Sequence, residues 1–294
     1  DHRDLHSFPT RRSSDLKVII LGCTGSIGTT ALRALELQSD SFEVVALHAH
    51  TSLDSLLTQA VRHRCHTICL SGDTERAILE SELPHHMHVY RGKSGLLQMI
   101  RETEADVILN GISGASGLEP TFAAIDSGKD IALSNKESIV MAGQLLFDHA
   151  RDHHVQILPV DSEHSTLHAL IRAHGISSIA SLILTASGGP FRTTPLHRLR
   201  DITVDMAVAH PTWKMGAKIS IDSATLANKG LEVIEASHLF GFSSSSIEVV
   251  IHPQSIVHSL IRLHSGAVYA QMTEPDISLP IMAALAEPHM ILKS

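Results

Sequence analysis

The sequence predicts an α/β fold class: a doubly wound parallel sheet followed by an α+β domain with an antiparallel sheet. Three observations predict it. A short apolar run, Lys17–Leu21, passes through a glycine turn into a helix-like stretch. Strand-like and helix-like runs then alternate to about His164, and strands separated by crossover helices make a parallel sheet. After Ser246 come three closely spaced strand-like runs with a Ser265-Gly266 turn, as expected for antiparallel neighbours.

The run KVIIL reads as a buried parallel strand. In GCTGSIG, Gly22, Gly25 and Gly28 recur every third residue, and TTALRALEL continues as a helix. Small residues let an anion approach, and a helix N-terminus offers free N–H groups and positive potential. The spacing is GxxGxxG, not the dinucleotide GxGxxG, and a plain chain turn fits it too. Phe42–Ala49 reads as the second strand and Leu53–Arg62 as a helix; strands Thr67–Leu70 and His88–Arg91 flank a helix near Thr74–Glu82. Next come a helix at Gly95–Glu102, a strand at Ala105–Ile112, a helix at Leu118–Ser127 and a strand at Asp130–Asn135. One long helix from Glu137 to about His153 closes the series. Ligands of such sheets sit at the C-terminal strand ends, where Gly25, His50, Gly111 and Asn135 fall. The second strand ends in His50-Thr51-Ser52 with no carboxylate before Asp54, which leans towards a dinucleotide carrying a 2′-phosphate; a polar loop is the other reading.

Lys136 and Glu137 lie at a strand-to-helix junction where Ser134 or Asn135 suits a helix cap. VQILPVDSEH, Val155–His164, reads as a strand ending in Asp161-Ser162-Glu163, whose carboxylates face one way by strand alternation. Such a pair repels by ~4 kcal/mol at an effective dielectric near 20 unless water or a cation intervenes. Oxygen ligands without paired His or Cys favour Mg²⁺ or Mn²⁺; a surface DxE is the alternative. Ser181–Phe191 runs as a strand into Ser187-Gly188-Gly189, a second anion-binding or plain turn. His210–Glu235 holds the only Trp, Trp213, and then a helix from about Ser223 on which Asn228, Lys229 and Glu232 share a face. An anion and a metal could be held there together; a solvated helix face is the alternative.

Composition narrows the classes. With 294 residues, 43% hydrophobic and 18% charged, the chain is globular in character. A formal charge of -8 disfavours nucleic acid or an anionic membrane as partner. The 22 His are scattered and show no HExxH or finger spacing. Cys65 and Cys69 are spaced CxxxC, so with Cys23 they read as reduced, buried thiols. No run is long and apolar enough to span a bilayer. Residues 1–16 are polar and read as a disordered or foreign tail, without the apolar centre of a signal peptide. The residues alone also fit a metal-dependent sugar-phosphate isomerase without redox chemistry, or a nucleotide-binding module.

GCTGSIG, LSNKES, PVDSEH, TASGGPF, HPTWKMGAKISIDSATLANKGLE, IHPQSIVHS and AQMTEPD occur in this order. Together they resemble the 1-deoxy-D-xylulose 5-phosphate reductoisomerase family, over about Lys17 to Ala286. The resemblance implies NADPH- and metal-dependent conversion of the sugar phosphate to 2-C-methyl-D-erythritol 4-phosphate. It implies NADPH contacts at Thr24, Gly25, Ser26, Ile27, Asn135, Glu137 and Gly216, with His50, Thr51 and Ser52 standing where many members have Gly-Lys-Asn. Asp161, Glu163 and Glu232 match the Mg²⁺ or Mn²⁺ ligands. Lys136, Ser162, Glu163, Ser187, His210, Trp213, Ser223, Asn228, Lys229 and Glu232 match substrate positions; Lys136, Asp161, Glu163, His210 and Glu232 are the expected catalytic set. The expected domains are an unmatched tail (1–16), a Rossmann-like NADPH domain (17–153), a catalytic, metal-binding and dimerisation domain (154–280) and the start of a linker (281–294). The resemblance further implies a homodimer in the bacterial cytoplasm, a plastid location being unsupported by the N-terminus, and a C-terminal helical domain that this sequence lacks.

Overall fold

A computed structural model describes residues 16–72, 87–209 and 216–287. Its first layer is a seven-stranded parallel sheet in the order β4-β3-β2-β1-β5-β6-β7. The strands are β1 (Leu16–Leu21), β2 (Phe42–Ala49), β3 (Thr67–Leu70), β4 (His88–Arg91), β5 (Val107–Asn110), β6 (Asp130–Leu133) and β7 (Ile157–Pro159). The crossover helices are α1 (Ser26–Glu36), α2 (Leu53–Arg62), α3 (Gly92–Glu102), α4 (Leu118–Asp126), α5 (Lys136–Ala142) and α6 (Gln144–Asp152). The helix expected near Thr74–Glu82 and the tail to residue 15 lie outside the described residues.

Both sheet faces are covered, which is why its strands are apolar throughout instead of alternating. On one face Val18, Ile20, Leu47 and Leu109 pack with Leu32, Leu35 and Leu56 of α1 and α2. On the other, Ile19, Leu21, Ile108 and Ile131 pack with Met99, Ile100, Ile125 and Ile139. The three cysteines are buried and unpaired, and burial lifts their thiols to about 11 (Cys65) and about 12 (Cys23, Cys69), so they stay protonated. Gly28 shows why the glycine turn needs its third member. A Cβ there would meet the Cys23 Cα and the Gly22 carbonyl oxygen at 2.4 Å, so only glycine lets α1 start this close to β1.

Four expectations are corrected. The long helix from Glu137 is two, broken where Gly143 takes φ +51°. The strand expected over Val155–His164 stops at Pro159, and α7 (Ser162–His174) begins at once. The helix expected from about Ser223 is also two, α9 (Ala217–Ala224) and α10 (Ala227–Phe240), after a short α8 (Val204–Val208). The second sheet is mixed, not antiparallel. It comprises β8 (Ile179–Ala186), β9 (Ile247–Ile251), β10 (Val257–Leu263) and β11 (Val268–Met272) in the order β11-β10-β8-β9. β10 runs antiparallel to both neighbours, but β9 is parallel to β8, because α9 and α10 form the crossover between them.

This sheet lies on α7 and α10 through Leu182, Leu184, Ile261, Leu167, Ala236 and Phe240. The last described helix, α11 (Ser278–Leu285), returns to the first layer: Ile281, Met282, Ala284 and Leu285 join the core beside α1. Residues 281–285, assigned above to a linker, are therefore packed core. No helix among the described residues is long and apolar enough to cross a membrane.

Candidate active site

Chain junctions deliver the functional side chains. At the end of β6, Asn135 caps α5 by accepting the Ser138 N–H at 2.8 Å, and its amide donates to the carbonyls of Ile112 (2.6 Å) and Gly114 (2.8 Å). With its amide so engaged, Asn135 fixes the strand end and leaves Lys136 pointing inward from the first turn. At the end of β7, Asp161 caps α7, its Oδ1 accepting the Glu163 N–H at 3.2 Å. The two carboxylates meet because one is a helix cap and the other lies in the first helical turn, not through strand alternation. Between α9 and α10, Leu226 takes φ +61°, a left-handed conformation unfavourable for a bulky residue. That break starts a new helix whose first turn presents Asn228 and Lys229, at the positive end of its dipole.

These junctions converge. Carboxylate oxygens of Asp161, Glu163 and Glu232 lie within 4.8 Å of one another. Lys136 Nζ donates to Asp161 Oδ2 (2.7 Å), Asn228 Oδ1 (3.0 Å) and Glu232 Oε1 (3.1 Å). Lys229 Nζ donates to Glu163 Oε1 at 3.1 Å and to Glu232 Oε2, while the Asn228 amide donates to Glu232 Oε1. Lys136, Lys229 and Glu232 are buried, 5%, 6% and 1% exposed.

Three acidic groups against two ammoniums leave one negative charge too many for a buried site. Its consequence falls on Glu163, raised to about 8 by burial and by the Glu232 and Asp161 carboxylates, although Lys229 opposes them. Burial also disfavours the Asp161 carboxylate, yet Lys136 and His164 together hold it well below the usual range. A proton thus resides where a further cation would serve. Oxygen donors this close, short of positive charge, fit a hard divalent ion such as Mg²⁺ or Mn²⁺.

Behind the cluster lies a layer that sequence reasoning missed. His164 Nε2 donates to the Glu232 carbonyl at 2.9 Å, while Nδ1 lies 3.4 Å from Asp161 Oδ1 and 3.7 Å from Glu235 Oε2. The ring stacks on Phe240. Burial works against its charge, but Glu235 and Asp161 prevail and raise it to about 9. Glu235, one turn beyond Glu232, was the available signal: both glutamates are nearly wholly buried on α10.

A cavity of about 360 Å³ opens onto the cluster. Lys136, Ser162, Ser187, Ser223, Asn228 and Lys229 line it beside the three carboxylates. Gly25, Ser26, Ile27, Asn135, Glu137 and Gly216 line it as well, so the glycine turn and the acidic cluster share one cleft. Thr24 belongs to that turn without lining the cavity, and His50, Thr51 and Ser52 lie apart from it, beyond the end of β2. His210 and Trp213 fall outside the described residues. Lys218, also missed, joins Glu137 and Asp222 at 2.6 Å each, tying α9 to α5 across the mouth. Its signal was the i,i+4 pair with Asp222.

Comparison with known proteins decides the family. The family described as 1-deoxy-D-xylulose 5-phosphate reductoisomerase matches residues 18–143, and its C-terminal domain matches residues 157–240. The reductoisomerase of Bacteroides fragilis is 45% identical over 281 residues, 95% of this chain and 72% of the relative. That of Chlorobaculum tepidum is 45% identical over 270 residues, covering 92% and 71%. This chain belongs to the 1-deoxy-D-xylulose 5-phosphate reductoisomerases. Among solved reductoisomerases, one in complex with NADPH, fosmidomycin and magnesium superposes with a TM-score of 0.87 at 40% identity, covering 94% of this chain and 71% of its own. The Zymomonas mobilis enzyme, in complex with NADPH, gives 0.84 at 38% identity, covering 95% and 72%.

In this reductoisomerase the glycine turn is held from below by a histidine. The Gly22 N–H donates to His48 Nδ1 at 3.1 Å, so that nitrogen is unprotonated and Nε2 carries the proton donated to Ser71 Oγ at 2.8 Å. The Ser71 hydroxyl is then free to donate to His50 Nδ1 at 3.2 Å. Burial, then the nearby His50, lowers His48 from 6.5 to about 4. Between those values the unfolded chain binds a proton at His48 that the folded chain refuses, so the His48 contribution to stability falls as pH drops from about 6.5 to about 4 and is constant above that window. The loss amounts to about 3 kcal/mol. Urea titrations should show it for the wild type and a smaller loss for His48→Gln, whose amide oxygen can accept the Gly22 N–H; equal pH slopes would refute the account.

Proposed function

We propose that this chain converts 1-deoxy-D-xylulose 5-phosphate to 2-C-methyl-D-erythritol 4-phosphate, oxidising NADPH and requiring Mg²⁺ or Mn²⁺, as a step towards isoprenoid precursors. The observation that carries the reading is a single cleft walled by the Gly25–Ile27 turn and floored by Asp161, Glu163 and Glu232. When bound, the divalent ion supplies Lewis-acid stabilisation of developing oxygen charge and NADPH supplies hydride. Asp161, Glu163 and Glu232 would hold the ion, and Gly25, Ser26, Ile27, Glu137 and Gly216 the nucleotide.

The chain's own groups perform the rest. Ser187 and Ser223, with Asn228 and Lys229 at the positive end of α10, offer donors to the substrate phosphate. Binding that remote group orients the reacting carbons at the carboxylate floor. Lys136 places an ammonium among the floor oxygens, where negative charge on the substrate would develop. Lys218, bridging α9 and α5, narrows the mouth and limits water. His210 and Trp213 carry the proposal on motif alone.

The test is NADPH consumption by the chain, with and without the sugar phosphate and Mg²⁺. Oxidation should require all three components. Isomerisation without NADPH loss would favour the non-redox isomerase, and NADPH binding without turnover the binding module.

Selectivity for NADPH is assigned to His50. Its ring is seated by Ser71 Oγ and by Gly72, where any Cβ would meet the ring at 2.8 Å. Replacing Ser71 by Ala should release the ring, and His50→Ala should remove it. Each should cut the NADPH-over-NADH binding ratio by roughly tenfold, the worth of one charge-assisted hydrogen bond. Fluorescence titration of both nucleotides checks this, and a ratio unmoved in both variants would remove His50 from the site.

A homodimer is also proposed. The two edge strands of the mixed sheet each expose apolar side chains, Val249, Val250 and Ile251 on β9 and Tyr269 and Met272 on β11, which edge strands of single chains normally avoid. Sedimentation should give a dimer that Met272→Asp converts to monomer.

A further inference from the structure

At the N-terminal ends of the parallel strands, opposite the cleft, the described residues hold a second set of metal-type donors that the proposed reaction does not use. His149 and His153 are four residues apart at the C-terminal end of α6, their ring centroids 4.5 Å apart. Asp126, the last residue of α4, brings Oδ1 to 2.7 Å from His149 Nε2. One donor atom from each of the three lies within 4.8 Å of the other two. We infer that Asp126, His149 and His153 form a binding site for a divalent transition ion of the zinc type, which ties α4 to α6.

Spacing, donor chemistry and field agree. Histidines at i and i+4 share a helix face and converge on one ion, as in helical zinc motifs. Two imidazoles and a carboxylate suit Zn²⁺, Co²⁺ or Ni²⁺, whereas Mg²⁺ takes oxygen ligands. α4 and α6 both end here, and the negative ends of two helix dipoles favour a cation. Both helices run back against the parallel strands, which puts the site away from the strand ends that carry the catalytic cleft. Phe122 lies against the His149 ring, centroids 5.4 Å apart, and restricts its orientation. Arg151, the nearest cation in sequence, is drawn off by Asp148 at 2.6 Å.

Ligands at ~2.0 Å around a tetrahedral ion stand roughly 3.3 Å apart, so the His149–Asp126 contact must open by roughly 0.6 Å, and any donor pair nearer the 4.8 Å bound must close by side-chain rotation. Coordination through His149 Nε2 uses the tautomer protonated at Nδ1. Three protein ligands leave the fourth position to water.

The experiment uses the full chain with Mg²⁺ in excess to occupy the oxygen cluster, and reads Zn²⁺ uptake by equilibrium dialysis and Co²⁺ uptake by visible absorption. The wild type should bind one Zn²⁺ that His153→Gln, an exposed substitution, weakens more than about tenfold. Asp126→Asn should weaken it in the same sense, and Co²⁺ should give the strong visible bands of a four-coordinate site only in the wild type. Melting temperatures in chelator should match between wild type and His153→Gln, and Zn²⁺ should raise only the former. Equal uptake by wild type and a His149→Gln/His153→Gln double variant, or no uptake at all, would overturn the site. Because Mg²⁺-dependent NADPH oxidation is expected to be untouched in His153→Gln, this result stands or falls separately from the proposed reaction.

Discussion

Replacing Glu232 by Gln is expected to reduce Mg²⁺-dependent turnover by at least about 100-fold while leaving NADPH affinity within about twofold. Glu232 is the carboxylate shared by everything in the cluster: it accepts from Lys136, Lys229 and Asn228 and lies beside both other acids. Gln keeps the shape and loses the charge, so one of three anionic ligands disappears. The fold should survive, because Lys136 retains Asp161 and Lys229 retains Glu163. NADPH affinity by fluorescence, turnover as a function of Mg²⁺ concentration and a melting curve separate these effects. Parallel loss of nucleotide binding and turnover would mean that Glu232 holds the fold and not the metal.

Lys136→Met should produce the largest change in stability, and a metal-dependent one. The substitution keeps the length of a side chain that is 5% exposed and removes the ammonium lying between Asp161 and Glu232. Burial disfavours that charge, but Asp161, Glu232 and Glu235 outweigh it and raise Lys136 well above its usual range, so the cation is firmly held. Taking one partner out of a buried ion pair costs about 3–5 kcal/mol, chiefly through the charges left behind. Here those charges are two ligands of the proposed divalent site. Urea unfolding in chelator should show the full loss, and Mg²⁺ should recover a large part of it. A loss of equal size with and without Mg²⁺ would show that no ion enters among these carboxylates.

The chemistry of this reductoisomerase was legible in the sequence because local order carried it. The alternation of apolar strands and helices dictates a parallel sheet, and such a sheet dictates that ligands gather at one edge. Gly22, Gly25 and Gly28 announced the anion turn, and the Asn228, Lys229 and Glu232 spacing announced one helix face, which α10 displays. Asp161 and Glu163 were found for the wrong reason. Strand alternation and an N-cap both bring residues i and i+2 together, and periodicity does not tell them apart. The breaks at Gly143 and Leu226 were missed because each interrupts an otherwise helical pattern. Leu226 gives no local warning at all, since leucine is a good helix former held in a left-handed conformation only by its surroundings.

By itself, then, the sequence determined the alternation of strands and helices that makes the parallel sheet, the glycine turn and which side chains could bind a metal or a phosphate. Those follow from propensity and spacing over a few residues. Only the tertiary structure decided that Lys136, Asp161 and Glu232 touch, that His164 and Glu235 stand behind them, and that β9 joins its sheet parallel to β8. Partners 25 to 96 residues apart are brought together by burial and charge balance across the whole fold, which no short window of sequence contains.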